Sequence, residues 1–464
     1  MSPEMGGDPR HAAWLLLRSG SETPLRDVGP VAESSGLDAR DRAFLRRLVG
    51  TEVRRRGTLR ALVRHFARGK PDIALSTHLH LGLTQLFFMD RVPDHAAVSE
   101  TVGAVHHTLG PSKARYTNAV LRAALRERRE GHSGDPRRDL PLRDLHFAEP
   151  VFRDPAEHPL LWAEDALSMP PAIMKRWTAR FGEETARALA LLALDEPPLS
   201  LRVVRGERDA LQAELTEAGA PVRGGRHPSI LLAPSSEVEP VLSSAAFSEG
   251  RITVQGETAL LAAEALQPRE DESLLDLCAA PGGKTAVLAA SGARVSACDV
   301  GEEKLSLVRS TLRRLALEDR VRLLASDGTR SLPEGELFDA ALVDAPCTNT
   351  GVLAQRPEAR WRFGPSMKRS LLALQSRLLT EAAARVRPGG RLVWSTCSLD
   401  PDENERQVAA FLAANPTWSL DLQRESLPDT ATTQSEGRGP VDGGYFARLR
   451  HCGDPSGGGI APSG

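Results

Sequence analysis

The chain has 464 residues, 41% of them hydrophobic and 26% charged, with a formal net charge of −2. That balance belongs to an ordinary soluble globular protein and sets a length prior of roughly three domains. It excludes a membrane protein, since no apolar run approaches the ~20 residues of a spanning helix, and any affinity for nucleic acid must come from local patches.

The N-terminus carries acidic residues and only a short apolar stretch, residues 12–17. No secretory signal is expected, and a cytoplasmic location follows. Five cysteines, at 278, 298, 347, 397 and 452, form an odd count without CxxC or Cys/His spacing. No disulfide framework and no metal site are expected.

In chain order, residues 1–9 read as frayed. Over 10–130, apolar residues recur at three- and four-residue spacing, as in Leu59/Leu62/Val63/Phe66 and Leu79/Leu83/Leu86/Phe87. This predicts an all-α domain. Residues 41–70 hold ten Lys/Arg against Asp41 and Glu52. Such a run is either a solvated helix face or a phosphate-binding patch. Residues 131–164, rich in Pro, Asp, Gly and Arg, read as a linker. Residues 165–255 suggest a small α+β segment. From 256 to 450 strands and helices alternate, with strands at 274–277, 294–298, 321–324, 340–343 and 391–395, which predicts a doubly wound, mostly parallel sheet. Residues 451–464 form a Gly/Pro/Ser tail expected to be disordered.

The first of these strands runs into Asp276-Leu-Cys-Ala-Ala-Pro-Gly-Gly-Lys-Thr285. Gly282-Gly283 allows close approach of backbone to a ligand. The turn lacks the first glycine of a phosphate-binding P-loop, because Cys278 stands there, and it is not GxGxxG. Asp299, Asp327 and Asp344 end the next strands. Ligands bind outside the carboxyl ends of parallel strands. Four strand-end carboxylates suit a cofactor with an amino acid, a ribose and an adenine, namely S-adenosylmethionine.

Cys347 lies in Asp344-Ala-Pro-Cys347 and Cys397 in Ser395-Thr-Cys-Ser398, each just after a strand. One cofactor loop and two thiols suit methyl transfer to carbon 5 of a pyrimidine. That carbon becomes nucleophilic once a thiolate adds to carbon 6. A second polar group can then help remove the carbon 5 proton and expel the thiolate.

These motifs, with Asp402-Glu-Asn-Glu405 and Asp442-Gly-Gly-Tyr-Phe446, resemble those of the RsmB/Sun (Fmu) bacterial ribosomal RNA cytosine-C5 methyltransferases. Leu81-Gly-Leu-Thr-Gln-Leu86, Asp90–Val98 and Asn118–Arg122 resemble the NusB-like RNA-binding domain of that family. The resemblance spans about residues 10–450. It implies an all-α NusB-like domain, then a class I (Rossmann-like) α/β methyltransferase domain with the small α+β RNA-binding segment between them. It implies 5-methylcytosine formation in small-subunit (16S) ribosomal RNA by an enzyme expected to be a monomer.

Within the resemblance Cys397 is the nucleophile and Cys347 assists product release. Cys278, Ala279, Ala280, Pro281, Gly282, Gly283, Lys284, Asp299, Asp327 and Asp344 hold S-adenosylmethionine. Three departures stand out: Thr348-Asn349 replaces a Ser-Gly pair, Gly256 an Asp, and Val204 an Asn. Arg202, Arg356, Arg360 and Trp361 are further candidates for RNA contact. Two other readings exist. One is a DNA cytosine methyltransferase with Cys347 as nucleophile, against which the Thr-Cys motif and the helical domain argue. The other is a non-catalytic RNA-binding protein, against which the intact Cys397, Cys347, Lys284 and Asp344 argue.

Overall fold

A computed structural model describes residues 7–235, 238–329, 335–429 and 439–452. The tail expected to be disordered lies mostly outside these, as does the start of the frayed N-terminus. The chain divides into two compact units: residues up to Asp195 together with Arg356–Phe363, and the remainder.

The first unit is helical. Its helices are Pro9–Arg18, Pro24–Ser34, Ala39–Phe66, Ile73–Phe88, Asp94–Leu109, Pro111–Glu127, Pro159–Ala166, Pro171–Phe181, Glu183–Leu192 and the short Ala359–Arg362. Carboxylates cap three of them, Asp8 accepting from Arg10 N at 2.9 Å. Asp38 accepts from Asp41 N at 2.8 Å and Asp72 from Leu75 N at 2.9 Å, each satisfying a donor that the first turn would orphan. Residues 131–164 are not a loose linker. Leu140, Phe147, Val151 and Phe152 are buried, and the Phe147 ring meets Phe66 and Phe87. The helices over 159–192 also belong to this unit, so the α+β segment begins with the strand Leu199–Val203 rather than at 165. Composition marked a break there, but burial of a few apolar side chains outweighs it.

The second unit carries two sheets. The smaller is antiparallel, in the order Arg223–Gly224, Ile230–Ala233, Leu199–Val203, Ile252–Val254. It packs Leu201, Leu231 and Ile252 against Leu211 and Leu215 of the helix Arg208–Glu217. The larger has seven strands: β1 (Ser273–Leu277), β2 (Arg294–Asp299), β3 (Val321–Ala325), β4 (Phe338–Asp344), β5 (Val386–Thr396), β6 (Trp418–Ser426) and β7 (Gly444–His451). Their order is β6-β7-β5-β4-β1-β2-β3. β1 to β5 are parallel, and β7 and β6 add antiparallel pairs.

Alternate residues of the central strands face opposite layers. Leu275, Val343 and Trp394 pack with Leu378 and Phe411. Leu274, Leu342 and Val393 pack with Ala262 and Leu288. A sheet covered on both faces reads as near-continuous apolar runs, which is why these strands are legible in the sequence. Among the described residues no helix is long and apolar enough to cross a membrane.

Candidate active site

β4 and β5 are neighbours with Asp344 paired to Ser395. The segments leaving them therefore run side by side. Ala345 N donates to Ser395 O, and Gly351 N to Cys397 O, both at 2.9 Å. This lacing brings Cys347 Sγ to 2.9 Å from Cys397 Sγ. Cys347 is buried, whereas Cys397 is half-exposed. The hydrogen bond to Cys397 and burial both hold the Cys347 thiol well above its ordinary pKa. Of the two sulfurs, Cys397 is the more accessible one.

The Thr348-Asn349 departure is built into this arrangement. Asn349 has φ 60°, a left-handed conformation that Asn tolerates better than most residues. Its Nδ2 donates to Cys347 O at 2.8 Å, and its Oδ1 lies 3.2 Å from Cys397 Sγ. Thr348 joins a buried hub around Glu403. That carboxylate accepts from Thr348 N and Gln375 Nε2, each at 2.9 Å, and from the hydroxyls of Thr348 and Ser398. Burial raises the Glu403 pKa against these hydrogen bonds. Glu403 thus ties both cysteine segments to one fixed point. The sequence motif contained it, but nothing in the spacing announced this role.

Lys284 Nζ pairs with Asp344 Oδ2 at 2.7 Å. Burial works against its ammonium, yet Asp344, with Cys397 and Asp276 nearby, outweighs burial and the pKa stands above the ordinary lysine value. A fixed cation therefore lies within electrostatic reach of Cys397.

The loop Cys278–Gly283 joins β1 to the helix Gly283–Ala290. Gly282 has φ 99°, and a Cβ there would come within 3.2 Å of Val308 Cα, so only glycine serves. Asp299 Oδ2 accepts from Ala280 N at 2.9 Å, and Oδ1 from Val300 N at 2.7 Å and Lys304 Nζ at 2.9 Å. A carboxylate offers about four lone-pair sites, so one remains on Oδ2 for a ribose hydroxyl. The helix N-terminus, the bare glycine backbone and this carboxylate at a sheet switch point fit S-adenosylmethionine. The Cys278 thiol is raised by burial and by Asp299, Asp344 and Asp276, so it contributes backbone rather than chemistry.

The remaining strand-end carboxylates sit in different surroundings. Asp276 is fully buried and accepts from Thr285 Oγ1 at 2.6 Å beneath the loop. Burial pushes it up to about 7. Asp327 is exposed and accepts from its own turn, at Thr329 N and Oγ1. Asp442, ahead of β7, was not singled out as a site residue. A Cβ on Gly256 would lie 2.1 Å from Asp442 Oδ2, so the Gly256 departure leaves the space for this carboxylate. Burial pushes Asp442 up to about 6, opposed by hydrogen bonds at Thr258 and by the Lys284 charge.

The expected RNA contacts need correction. Arg360 is fully buried and donates to the carbonyls of Ser168 and Ala193 at 3.3 and 2.7 Å. Trp361 packs on the helical core, with Nε1 2.7 Å from Val53 O. Within the basic run, Arg54 and Arg55 are buried, and Arg56 pairs with buried Glu52 at 2.8 Å. A charged run was read as a surface, but mid-helix it is enclosed on all sides. Arg42, Arg46, Arg47, Arg68 and Lys70 do face solvent.

Two family models match the chain: 16S rRNA methyltransferase RsmB/F over residues 263–449 and the NusB family over residues 15–126. Ribosomal RNA small subunit methyltransferase B of Klebsiella pneumoniae is 34% identical over 382 residues, 80% of each chain. The protein of that name from Pseudomonas putida is 33% identical over 436 residues, 90% of this chain and 92% of its own. The crystal structure of PH0851 shares the fold, with a TM-score of 0.73 over 97% of this chain and 99% of its own at 22% identity. With both halves matched in order and the cofactor loop and paired thiols in place, the chain belongs to the RsmB family of S-adenosylmethionine-dependent methyltransferases.

Proposed function

We propose that this chain forms 5-methylcytosine in small-subunit (16S) ribosomal RNA through a covalent bond between Cys397 Sγ and carbon 6 of the base. The observation that carries the reading is the pair of sulfurs 2.9 Å apart, one buried, the other half-exposed and within reach of the Lys284 charge.

Addition of the Cys397 thiolate to carbon 6 forms the C–S bond and moves an electron pair onto carbon 5, N3 and O2. S-adenosylmethionine, held by residues 278–284 and Asp299, supplies an electrophilic methyl group to carbon 5 when bound. The family pattern also assigns Asp327 and Asp344 to that cofactor; the Asp344 pairing with Lys284 supports a place at its reacting end. Cys347 acts next. Its proton is held chiefly by the hydrogen bond to Cys397, and that bond loses its acceptor once the Cys397 sulfur is committed to carbon. Cys347 can then give its proton up to solvent and, as the thiolate, take the carbon 5 proton. The C–H electrons restore the ring double bond and expel Cys397 as thiolate.

The test is transfer of labelled methyl to 16S RNA, with 5-fluorocytosine RNA as a trap. Cys397→Ala should abolish both transfer and trapping. Cys347→Ala should accumulate a gel-stable RNA adduct instead. Trapping that persists without Cys397 refutes the assignment, and loss of adduct only without Cys347 makes Cys347 the nucleophile.

A further inference from the structure

Three polar side chains of the second unit, Arg202 and Gln255 buried and Asp442 half-buried, end in shielded atoms that the mechanism above does not use. Arg202 lies on the strand Leu199–Val203 and Gln255 just after Ile252–Val254. Both are 6% exposed. Arg202 Nε donates to Gln255 Oε1 at 2.5 Å. Arg202 Nη2 and Gln255 Nε2 are shielded from solvent and have no hydrogen-bond partner among the described residues, and the same holds for Asp442 Oδ1. Buried donors and acceptors are nearly always paired, so three orphans together call for a ligand.

They converge on the reacting groups. A Cβ on Gly283 would lie 3.7 Å from Gln255 Nε2, and the next residue is Lys284. The Asp442 carboxylate lies against Gly256, the neighbour of Gln255, and feels the Lys284 charge. Thr258 Oγ1 holds Asp442 O at 3.0 Å, and a Cβ on Gly444 would lie 3.4 Å from Cys397 Cα.

We infer that Asp442, Gln255 and Arg202 read the polar edge of the target base and set the choice of cytosine over uracil. This rests on the cytosine reading above. Cytosine presents an amino donor at N4 and acceptors at N3 and O2. The Asp442 carboxylate is an acceptor for N4–H. The Gln255 amide and Arg202 guanidinium are donors for O2, which gains charge when Cys397 adds to carbon 6, so the same donors favour the transition state. Uracil carries an oxygen at carbon 4. Facing Asp442 it would set acceptor against acceptor and leave the carboxylate unpaired, which disfavours uracil by about tenfold to a hundredfold.

The test uses the full chain and 16S RNA whose methylated cytosine has been located by bisulfite sequencing, alongside the same RNA with uridine at that position. Single-turnover transfer is measured on both, and S-adenosylmethionine affinity by calorimetry. Asp442→Asn can present either an oxygen or an amide N–H. It should slow transfer to cytosine about tenfold or more and narrow the cytosine-to-uridine ratio by a similar factor, with cofactor affinity within about twofold of wild type. Gly256→Ala removes no polar group but pushes a methyl against the carboxylate, and it should narrow the ratio in the same way. An unchanged ratio in both variants overturns the inference, whether or not the absolute rates fall. A wild-type chain that methylates no cytosine overturns the cytosine reading and this inference with it.

Discussion

Replacing Glu403 by Ala tests whether one buried carboxylate holds both cysteine segments. Four donors lose their acceptor. The hydroxyls of Thr348 and Ser398 lie 3.0 Å apart and can turn to each other. Gln375 Nε2 keeps Pro346 O at 2.8 Å. The Thr348 N–H has no such alternative, and a buried donor left unpaired costs ~1–3 kcal/mol. The cavity left by the side chain adds to this, while relief of the carboxylate's own burial, visible in its raised pKa, offsets part. The net loss is about 2 kcal/mol, a fall in Tm of about 4–8 °C for a unit of this size. The catalytic loss should be larger, since a shift of about 1 Å between reacting groups costs about a hundredfold. Single-turnover methyl transfer and thermal unfolding read the two effects. Glu403→Gln, which keeps an acceptor for the Thr348 N–H, should recover most of the stability. An Ala variant with the wild-type rate and a Tm within about 1 °C of wild type would refute the reasoning.

Reversing the exposed Arg46, Arg47 and Arg68 to Glu should weaken 16S RNA binding and reduce its salt slope by about 0.7–0.9 per lost phosphate contact, leaving S-adenosylmethionine affinity unchanged; an unaltered slope makes this face merely solvated. Reversing Arg54 and Arg55, which are buried, should instead unfold the helical unit, read by circular dichroism. Asp299→Ala should weaken cofactor binding about tenfold or more, as a ribose hydroxyl loses its acceptor at ~1–3 kcal/mol; calorimetry showing equal affinity excludes that role. Asp276 is held at about 7 by burial, above its unfolded value, so its contribution is fully present near pH 4 and is lost as pH rises through 7. Asp276→Asn should therefore flatten the fall in stability between pH 4 and 7, measured by denaturant midpoints, and a slope identical to wild type would remove Asp276 as its source.

The parallel strands, the Gly282 turn and both cysteines were legible because each leaves a local mark: an apolar run, a glycine pair, a thiol after a strand. The 2.9 Å approach of Cys347 and Cys397 was not, since it depends on the Asp344–Ser395 register of β4 and β5. β6 escaped notice because only its ends, Trp418 and Ser426, are buried, with half-exposed Glu425 and exposed residues between, so it lacks the apolar signature. Glu403 and Asp442 were visible only as letters within motifs. Their importance comes from what surrounds them, at Thr348, Ser398, Gln375 and Gly256. The basic helix failed in the opposite sense: charge usually marks a surface, but Arg54 and Arg55 are enclosed by partners that come from elsewhere in the chain.

The excursion Arg356–Phe363 constrains how this protein can be cut. The chain leaves the catalytic unit eight residues after Thr348, contributes Arg360 and Trp361 to the helical core, and returns for the helix Pro365–Ala384. A fragment beginning near residue 196 would retain those eight residues without the carbonyls of Ser168, Ala193 and Val53 that satisfy them. It would carry a guanidinium that no longer has its buried acceptors and an unsheltered indole, 13 and 14 residues after Cys347. The helical half is therefore not a detachable module: it is the folding partner of a loop in the middle of the methyltransferase sequence.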